Sequence, residues 1–366
     1  MDCQNTITNK QRDSTVEMLR IFAMLVIIAG HFGVHGIFHI PNSAQILCVD
    51  KLSWQLIFTQ FISCGGSLGN GIFLLITGYF MIVKSLSYKK IFRLFSKMIF
   101  YSWLILLVVY CSGLLPVSKD DVFRSIIPIW FGENWFISCY IIFSLFIPYI
   151  NFFLNKLSEK SFRKMLIIIY FLVIVIPGLK GVTFMNSQMI YFFLVYSIGG
   201  YIRLHYNNLN ISIKPMLCFI LTIAIINISI VLFDYIGFVL KNDFFVKSAT
   251  HINVFLHIPA ACFIFLWVNT KGIFYIQKIN ILSQSILGVY LIHDNFLIRT
   301  IIWDKIFKND YFLTSSFYVI FALVKILSVF IICIIVDKLI SEMLDRFEFY
   351  CLCFWNKVLI SLNSNN

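Results

Sequence analysis

The chain alternates between long apolar runs and short polar connections along nearly its whole length. Most runs reach or approach the roughly 20 apolar residues that a membrane-spanning helix needs. We therefore predict an all-α, polytopic membrane protein with about ten transmembrane helices. The predicted spans are 19–38, 56–83, 98–115, 135–154, 165–179, 187–203, 215–240, 252–269, 281–303 and 312–336.

Three of these spans have special features. The second contains four glycines between Gly65 and Gly71, so a break in its helix is expected. The fifth is short and is predicted to end at Pro177 and Gly178. The first is too long for the apolar region of a signal peptide, and no small-residue cleavage site follows it. We expect the first span to stay in the protein as an anchored helix.

Composition excludes a soluble enzyme. Of 366 residues, 60% are hydrophobic and 13% are charged, with a mean hydropathy of +0.88. A soluble domain carries about 25% charged residues. The ten spans occupy residues 1–336 as a single transmembrane domain, and residues 337–366 are predicted to form a cytoplasmic or interfacial tail. The ten cysteines lie mostly in apolar runs and do not suggest a disulfide framework.

The net charge of +12 is explained by membrane topology, and no nucleic-acid partner is expected. If the N-terminus is cytoplasmic, 19 of the 29 lysines and arginines face the cytoplasm and nine face outward. Lys325 alone falls within the last span. Positive charge concentrates in cytoplasmic loops, so both termini are predicted to be cytoplasmic.

The strongest candidate for chemistry is His31 in the first span. Arg20 precedes it by eleven residues, which places both side chains on one helix face, about 20° apart, with a rise of about 16 Å. With Arg20 at the inner boundary, His31 would lie near the middle of the membrane, where a neutral imidazole can act as a general base. Two simpler interpretations stay open: a histidine hydrogen-bonded to a neighbouring helix, and an arginine that only anchors topology.

His35 and His39 extend the His31 spacing by four and eight residues, as a metal site would require. Gly33 and Gly36 weaken helix continuity there, and no acidic residue is near in the sequence. We therefore predict no metal.

Three further clusters are candidates for binding. Lys90, Arg93 and Lys97 share one face of the third span and could hold phosphates, although the positive-inside rule alone also explains them. Tyr290 and His293, followed by Asp294 and Arg299, could line the same cavity as His31 or form a structural bridge. Asn134 and Trp135 could bind sugar hydroxyls, whereas Trp135 by itself suits the membrane interface.

Together these segments resemble the acyltransferase-3 family of integral-membrane acyltransferases. The resemblance covers nearly the whole chain, with the motifs in the expected order. Glu17, Thr77 and Lys90 stand where the family commonly has Asp, Ser and Arg. The segments that carry the resemblance are Val16–Ala23 with Gly30–His31, Gly69–Phe73 with Ile76–Phe80, Lys90–Arg93, and Asn134–Phe136 with Tyr290–His293.

The resemblance implies an O-acyltransferase that needs no metal and uses an acyl-CoA donor, commonly acetyl-CoA. Such proteins move an acyl group from cytoplasmic acyl-CoA to a hydroxyl of a cell-surface glycan or of its lipid-linked precursor. The composition suits an AT-rich bacterial coding sequence, so the expected location is a bacterial cytoplasmic membrane, with membrane lipid as a partner. The oligomeric state is not determined.

Residue roles follow from the resemblance together with the spacing. His31 would serve as the general base or as an acyl carrier, with Glu17 orienting Arg20 at the same helix end. Arg20, Lys90 and Arg93 would bind the donor. Four residues would bind the acceptor: Asn134, Trp135, Tyr290 and His293. The alternative function is a polysaccharide exporter or flippase without covalent chemistry, although such proteins usually have more spans and more charges within them.

Overall fold

The structure is a computed structural model that describes residues 12–39, 43, 52–177, 188–205, 214–252 and 254–364. Helices dominate, and no strand occurs among these residues. The first half contains α1 Ser14–His31, α2 Trp54–Ser63, α3 Gly65–Met81, α4 Tyr88–Ser112, α5 Lys119–Ile126, α6 Trp135–Asn155, α7 Glu159–Tyr170 and α8 Gln188–His205. The second half contains α9 Pro215–Leu240, α10 Asp243–Ile252, α11 Val254–Asn269, α12 Gln277–Gln284, α13 Ile286–His293, α14 Phe296–Thr300, α15 Tyr318–Leu339 and α16 Ser341–Ser364.

The helical, multi-span architecture predicted from the apolar runs is confirmed. Seven helical segments within the described ranges are long and apolar enough to cross a membrane, and a bent pair makes an eighth. The predicted fifth and sixth spans correspond to α7 and α8, which do not meet that standard. Gly178, at the predicted end of the fifth span, lies outside the described residues. The count of ten and the cytoplasmic termini therefore stay predictions.

Small residues bring α1 and α3 into direct backbone contact at the centre of the bundle. A Cβ atom added to Gly30 would lie 2.5 Å from the backbone nitrogen of Gly66. One added to Gly69 would meet the carbonyl oxygen of Ala23. The two helices run antiparallel, and α3 packs in turn against α8. Glycine permits this approach because its backbone carries no side chain.

Helix irregularities concentrate around the first and ninth predicted spans. The helix of the first span continues beyond His31 as a π-helix, Phe32–Ile37, so the glycines there do not end it. The predicted break in the second span lies at Cys64, between α2 and α3. The ninth span was expected to be one helix, but it bends by 75° between α13 and α14. Asp294 and Asn295 form this bend, and the Asn295 side chain accepts a hydrogen bond from the Leu297 amide.

The C-terminal helix α16 packs against the first turns of α4 and runs antiparallel to it. Phe347 contacts the ring of Phe100, and Trp355 stacks on Phe92. The predicted tail is therefore helical and has a defined partner, while its position relative to a membrane surface stays a prediction. The eight described cysteines are all free.

Candidate functional site

Two parallel helices bring His31 and His293 together inside the bundle. Asn280 of α12 accepts a hydrogen bond from the Ser14 hydroxyl at the start of α1. From this contact α1 runs alongside α12 and α13, so that His31 at the end of α1 meets His293 at the end of α13. His31 Nδ1 lies 3.0 Å from His293 Nε2 and 3.4 Å from Asp294 Oδ1. His293 and Asp294 are buried, and the His31 side chain keeps 13% of its surface exposed. The two histidines are therefore in contact, and the choice between a shared cavity and a structural bridge stays open.

Hydrogen bonding assigns the protonated nitrogen of each neutral imidazole. His293 Nδ1 lies 2.6 Å from the carbonyl oxygen of Val289, which can only accept, so this nitrogen carries the proton. His293 Nε2 is then an acceptor, and His31 Nδ1 must donate to it. His31 Nε2 is left with a free lone pair. A histidine in this state can accept a proton or attack a carbonyl carbon.

Asp294 and Arg299 form a charged pair beside the histidines, on the side away from the start of α1. We call His31, His35, His293, Asp294 and Arg299 the histidine cluster. Arg299 Nε lies 3.7 Å from Asp294 Oδ1, and a terminal nitrogen of Arg299 lies 3.4 Å from His35 Nε2. His35 is carried by the π-helix and packs edge-on to His31, with ring centroids 5.2 Å apart. A buried carboxylate needs a compensating charge, and Arg299 supplies it.

The histidine face of α1 does have an acidic neighbour, contrary to the expectation from the sequence. This neighbour is Asp294, which lies in the bend after α13, more than 250 residues later in the chain. Ligand atoms of His31, His35 and Asp294 lie within 4.8 Å of one another, a spacing that a metal ion could use. Arg299 already places positive charge beside Asp294, which opposes a divalent cation at this position. The absence of a metal stays a prediction.

Lys325, the lysine within the last predicted span, supports the π-helix through a short chain of hydrogen bonds. Its ammonium donates to Asn309 Oδ1 at 2.8 Å and to the carbonyl oxygen of Phe307 at 3.1 Å. Asn309 Nδ2 donates to the carbonyl oxygen of Gly36 at 2.8 Å. The buried charge is thus hydrogen-bonded, and it fixes the helix segment next to His35.

A cavity of about 510 Å³ opens where α1 begins and extends towards the histidines. Arg12, Arg20 and Lys97 place three cations along its wall. Glu17 also lines it and accepts a hydrogen bond from Arg20 at 2.6 Å, which confirms the predicted pairing. The inner part is lined mainly by apolar and aromatic side chains, including Ile27, Phe73, Phe136 and Tyr290. His31 lies four residues beyond Ile27, about 6 Å further along α1.

The predicted donor-binding residues of α4 divide into two groups. Lys90 and Arg93 are exposed and do not line the cavity. Lys97, on the same helix face, does line it and pairs with Glu348 of α16 at 3.4 Å. The basic cluster thus reaches the cavity through Lys97, a residue of the predicted cationic face, while Arg12 was not proposed from the sequence.

Of the residues predicted to bind the acceptor, some line the cavity and others do not. Tyr290 lines the cavity, and its hydroxyl accepts a hydrogen bond from the Phe136 amide at 3.3 Å. Asn134 is buried at the start of α6 with a positive φ of 47°. Its side-chain nitrogen has no hydrogen-bond partner among the described residues. Trp135 packs edge-on against the rings of Phe136 and Phe192. Asn134 and Trp135 do not line the cavity, although the next residue, Phe136, does.

Three residues of the cluster were not among the predicted site residues. Asp294 and Arg299 were noted in the sequence as unusual within a span, with their role left open. His35 was considered only as a metal ligand. The available signal was the adjacency of His293 and Asp294 in an apolar segment, because ionisable residues in a span are costly unless they serve a function.

These features define a multi-span helical membrane protein with a buried histidine pair above a cation-lined cavity. The acyltransferase-3 family model, described as an acyltransferase domain, matches residues 13–338. The chain belongs to this family and is a membrane acyltransferase. No curated protein and no solved structure matches the chain.

Proposed function

We propose that this protein moves an acetyl group from cytoplasmic acetyl-CoA to a hydroxyl of a cell-surface glycan or its lipid-linked precursor. The observation that carries the proposal is His31, which has a free Nε2 and lies one helical turn beyond Ile27 at the inner end of a cation-lined cavity. The proposed setting is the cytoplasmic membrane of a bacterium, with the cavity opening to the cytoplasm.

The cavity wall suits an acyl-CoA donor. Arg12, Arg20 and Lys97 provide positive charge for the phosphates of CoA. The apolar inner wall suits the uncharged arm that carries the thioester. Glu17 fixes Arg20 in place by its short hydrogen bond. The donor would enter with its phosphates at the start of α1 and its thioester directed to His31.

The proposed reaction is a direct acyl transfer. His31 Nε2 takes the proton from the acceptor hydroxyl as its oxygen attacks the thioester carbonyl carbon. The carbon–sulfur bond breaks, and the imidazolium returns the proton to the CoA thiolate. His293 and Asp294, both on the Nδ1 side of His31, stabilise the imidazolium that forms in between. The same lone pair would also serve an acyl-carrier route, which a trapped acyl-histidine would reveal.

The acceptor is proposed to approach from the side of His35 and Arg299. Arg299 keeps 28% of its side chain exposed, which leaves room for hydrogen bonds to sugar hydroxyls. His293 would act on the acceptor through His31. Asn134, Trp135 and Tyr290 would shape the wall between donor and acceptor.

Deletion of the gene tests the function itself. We expect acetyl mass increments on the surface polysaccharide to vanish while the polysaccharide still reaches the surface, because covalent transfer and export are separate steps. Mass spectrometry of the extracted polysaccharide from deletion, complemented and parent strains measures both. Loss of the polysaccharide from the surface would instead support an exporter.

The donor assignment makes a second prediction. Lys97→Met is expected to weaken acetyl-CoA binding about ten- to a hundredfold, since a charge-assisted hydrogen bond contributes about 1.5–3 kcal/mol. Isothermal titration calorimetry of the purified protein in detergent measures the Kd. Lys90→Met is the matched control on the same helix and should change the Kd less than about twofold. The reverse order of effects would favour Lys90 and Arg93 as the donor-binding residues.

A further inference from the structure

A second cavity of about 300 Å³ lies on the side of α1 away from His31. Val26 and Ala29 of α1 form one wall, and Ile223 and Ile226 of α9 form the opposite wall. Helix periodicity turns Val26 and Ala29 about 140° and 160° from His31, so this cavity is separate from the proposed reaction site. Its volume is at the lower end of the range for small-molecule sites.

His257 of α11 is a polar group in this otherwise largely apolar cavity. It is 4% exposed, and neither ring nitrogen has a hydrogen-bond partner among the described residues. Burying an imidazole without partners is unfavourable, and such groups in folded proteins are nearly always satisfied by protein, water or ligand. Cys64 also lines the cavity, but its thiol already donates to the Gln60 carbonyl oxygen.

α9 forms a wall of the cavity on the side that faces lipid. Ile223 and Ile226 line the cavity, whereas Leu221 and Ile225 on the other side of α9 are 52% and 53% exposed. The main contacts of α9 are with α10, α11 and α2, and its inner face lies across the cavity from α1. A molecule dissolved in the bilayer therefore needs to pass beside one helix to enter.

We propose that this cavity binds the hydroxyl end of an uncharged long-chain alcohol taken from the bilayer, such as a lipid with a free hydroxyl. The alkyl chain would pack between α1 and α9, and the hydroxyl would pair with His257. A hydroxyl both donates and accepts, so it can pair with either nitrogen of a neutral imidazole. Among the residues that the structure describes, no lysine or arginine lines the cavity, so a phosphate or carboxylate would be buried there without a counter-charge.

Photo-labelling in nanodiscs tests this assignment directly. The probes are a medium-chain alcohol with a diazirine on its chain and the matched alkane with the same diazirine. Adducts are counted by mass spectrometry in peptides from α1 and α9, and normalised to the α15 peptide that contains the 53% exposed Ile331. We expect the alcohol to label the cavity peptides about tenfold more than the alkane, the effect of one buried hydrogen bond.

Two test variants, one control variant and one competition experiment show whether labelling depends on His257 and on the cavity. His257→Leu should reduce alcohol labelling to the alkane level, and Ala260→Leu, which fills the cavity wall, should reduce both. His205→Leu, at the end of α8, is the matched control and should change neither. In the unaltered protein, unlabelled alcohol should compete and unlabelled alkane should not. Equal labelling by both probes, or alcohol labelling that survives His257→Leu, would overturn the proposal and leave water as the partner of His257.

Discussion

Replacing His31 with glutamine is expected to lower acyl transfer by about 10²- to 10⁴-fold, the usual contribution of a general base. Glutamine can still donate to His293, but it has no lone pair basic enough to take a proton from a hydroxyl. Acetyl content of the surface polysaccharide, measured by mass spectrometry against the complemented parent, reports the loss. The Kd for acetyl-CoA should change less than about twofold, because His31 does not line the donor cavity.

The control for this experiment is His205→Gln. His205 packs against the rings of Phe162 and Tyr201, outside the histidine cluster, so its replacement should leave acetylation near the parent level. Both variants must be present in the membrane at similar amounts. Acetylation that persists in the His31 variant would remove His31 from the mechanism, even if the family membership of the chain is unaffected.

Gly30→Ala is expected to destabilise the whole bundle. The added Cβ would lie 2.5 and 2.9 Å from the backbone nitrogen and Cα of Gly66, and backbone atoms cannot rotate away. Overpacking of this kind costs about 1–3 kcal/mol, and separating α1 from α3 would also displace the neighbouring His31. Thermal unfolding of the purified protein in detergent should show a Tm several degrees lower, with reduced acyl transfer.

Gly66→Ala is the matched control at the same contact. A Cβ added there meets no atom within 4 Å, so no clash is created. Alanine also favours a helix over glycine by about 1 kcal/mol, which predicts an unchanged or higher Tm. Equal destabilisation by the two variants would contradict the close contact between Gly30 and Gly66.

Local pattern was enough to predict the helical, multi-span architecture and the helix face shared by Arg20 and His31. Apolar run lengths indicate spans, and a period of 3.6 residues places Arg20 and His31 on one side of α1 whatever surrounds them. The glycines between Gly65 and Gly71 likewise indicated a break in the second span, because glycine is a poor helix former; the break lies just before them, at Cys64. These properties depend on neighbours along the chain and are therefore visible in one sequence.

The partners of that face were decided by packing between distant segments. His31 meets His293 and Asp294 only because α1 and α13 lie side by side in one register. Nothing in the local pattern set the 75° bend after His293, which places Asp294 and Arg299 beside His35. Such contacts depend on side-chain packing across helix surfaces, which sequence spacing does not encode.

The donor cavity likewise combines a feature that the sequence shows with one that only helix packing decides. Positive charge at the start of the third span was visible, but which lysine reaches the cavity depends on how α4 is rotated against α1 and α16. Lys97 lines the cavity beside Glu348, whereas Lys90 and Arg93 on the same helical face remain exposed. Periodicity groups residues on a face, and only the packed bundle determines which part of that face is covered.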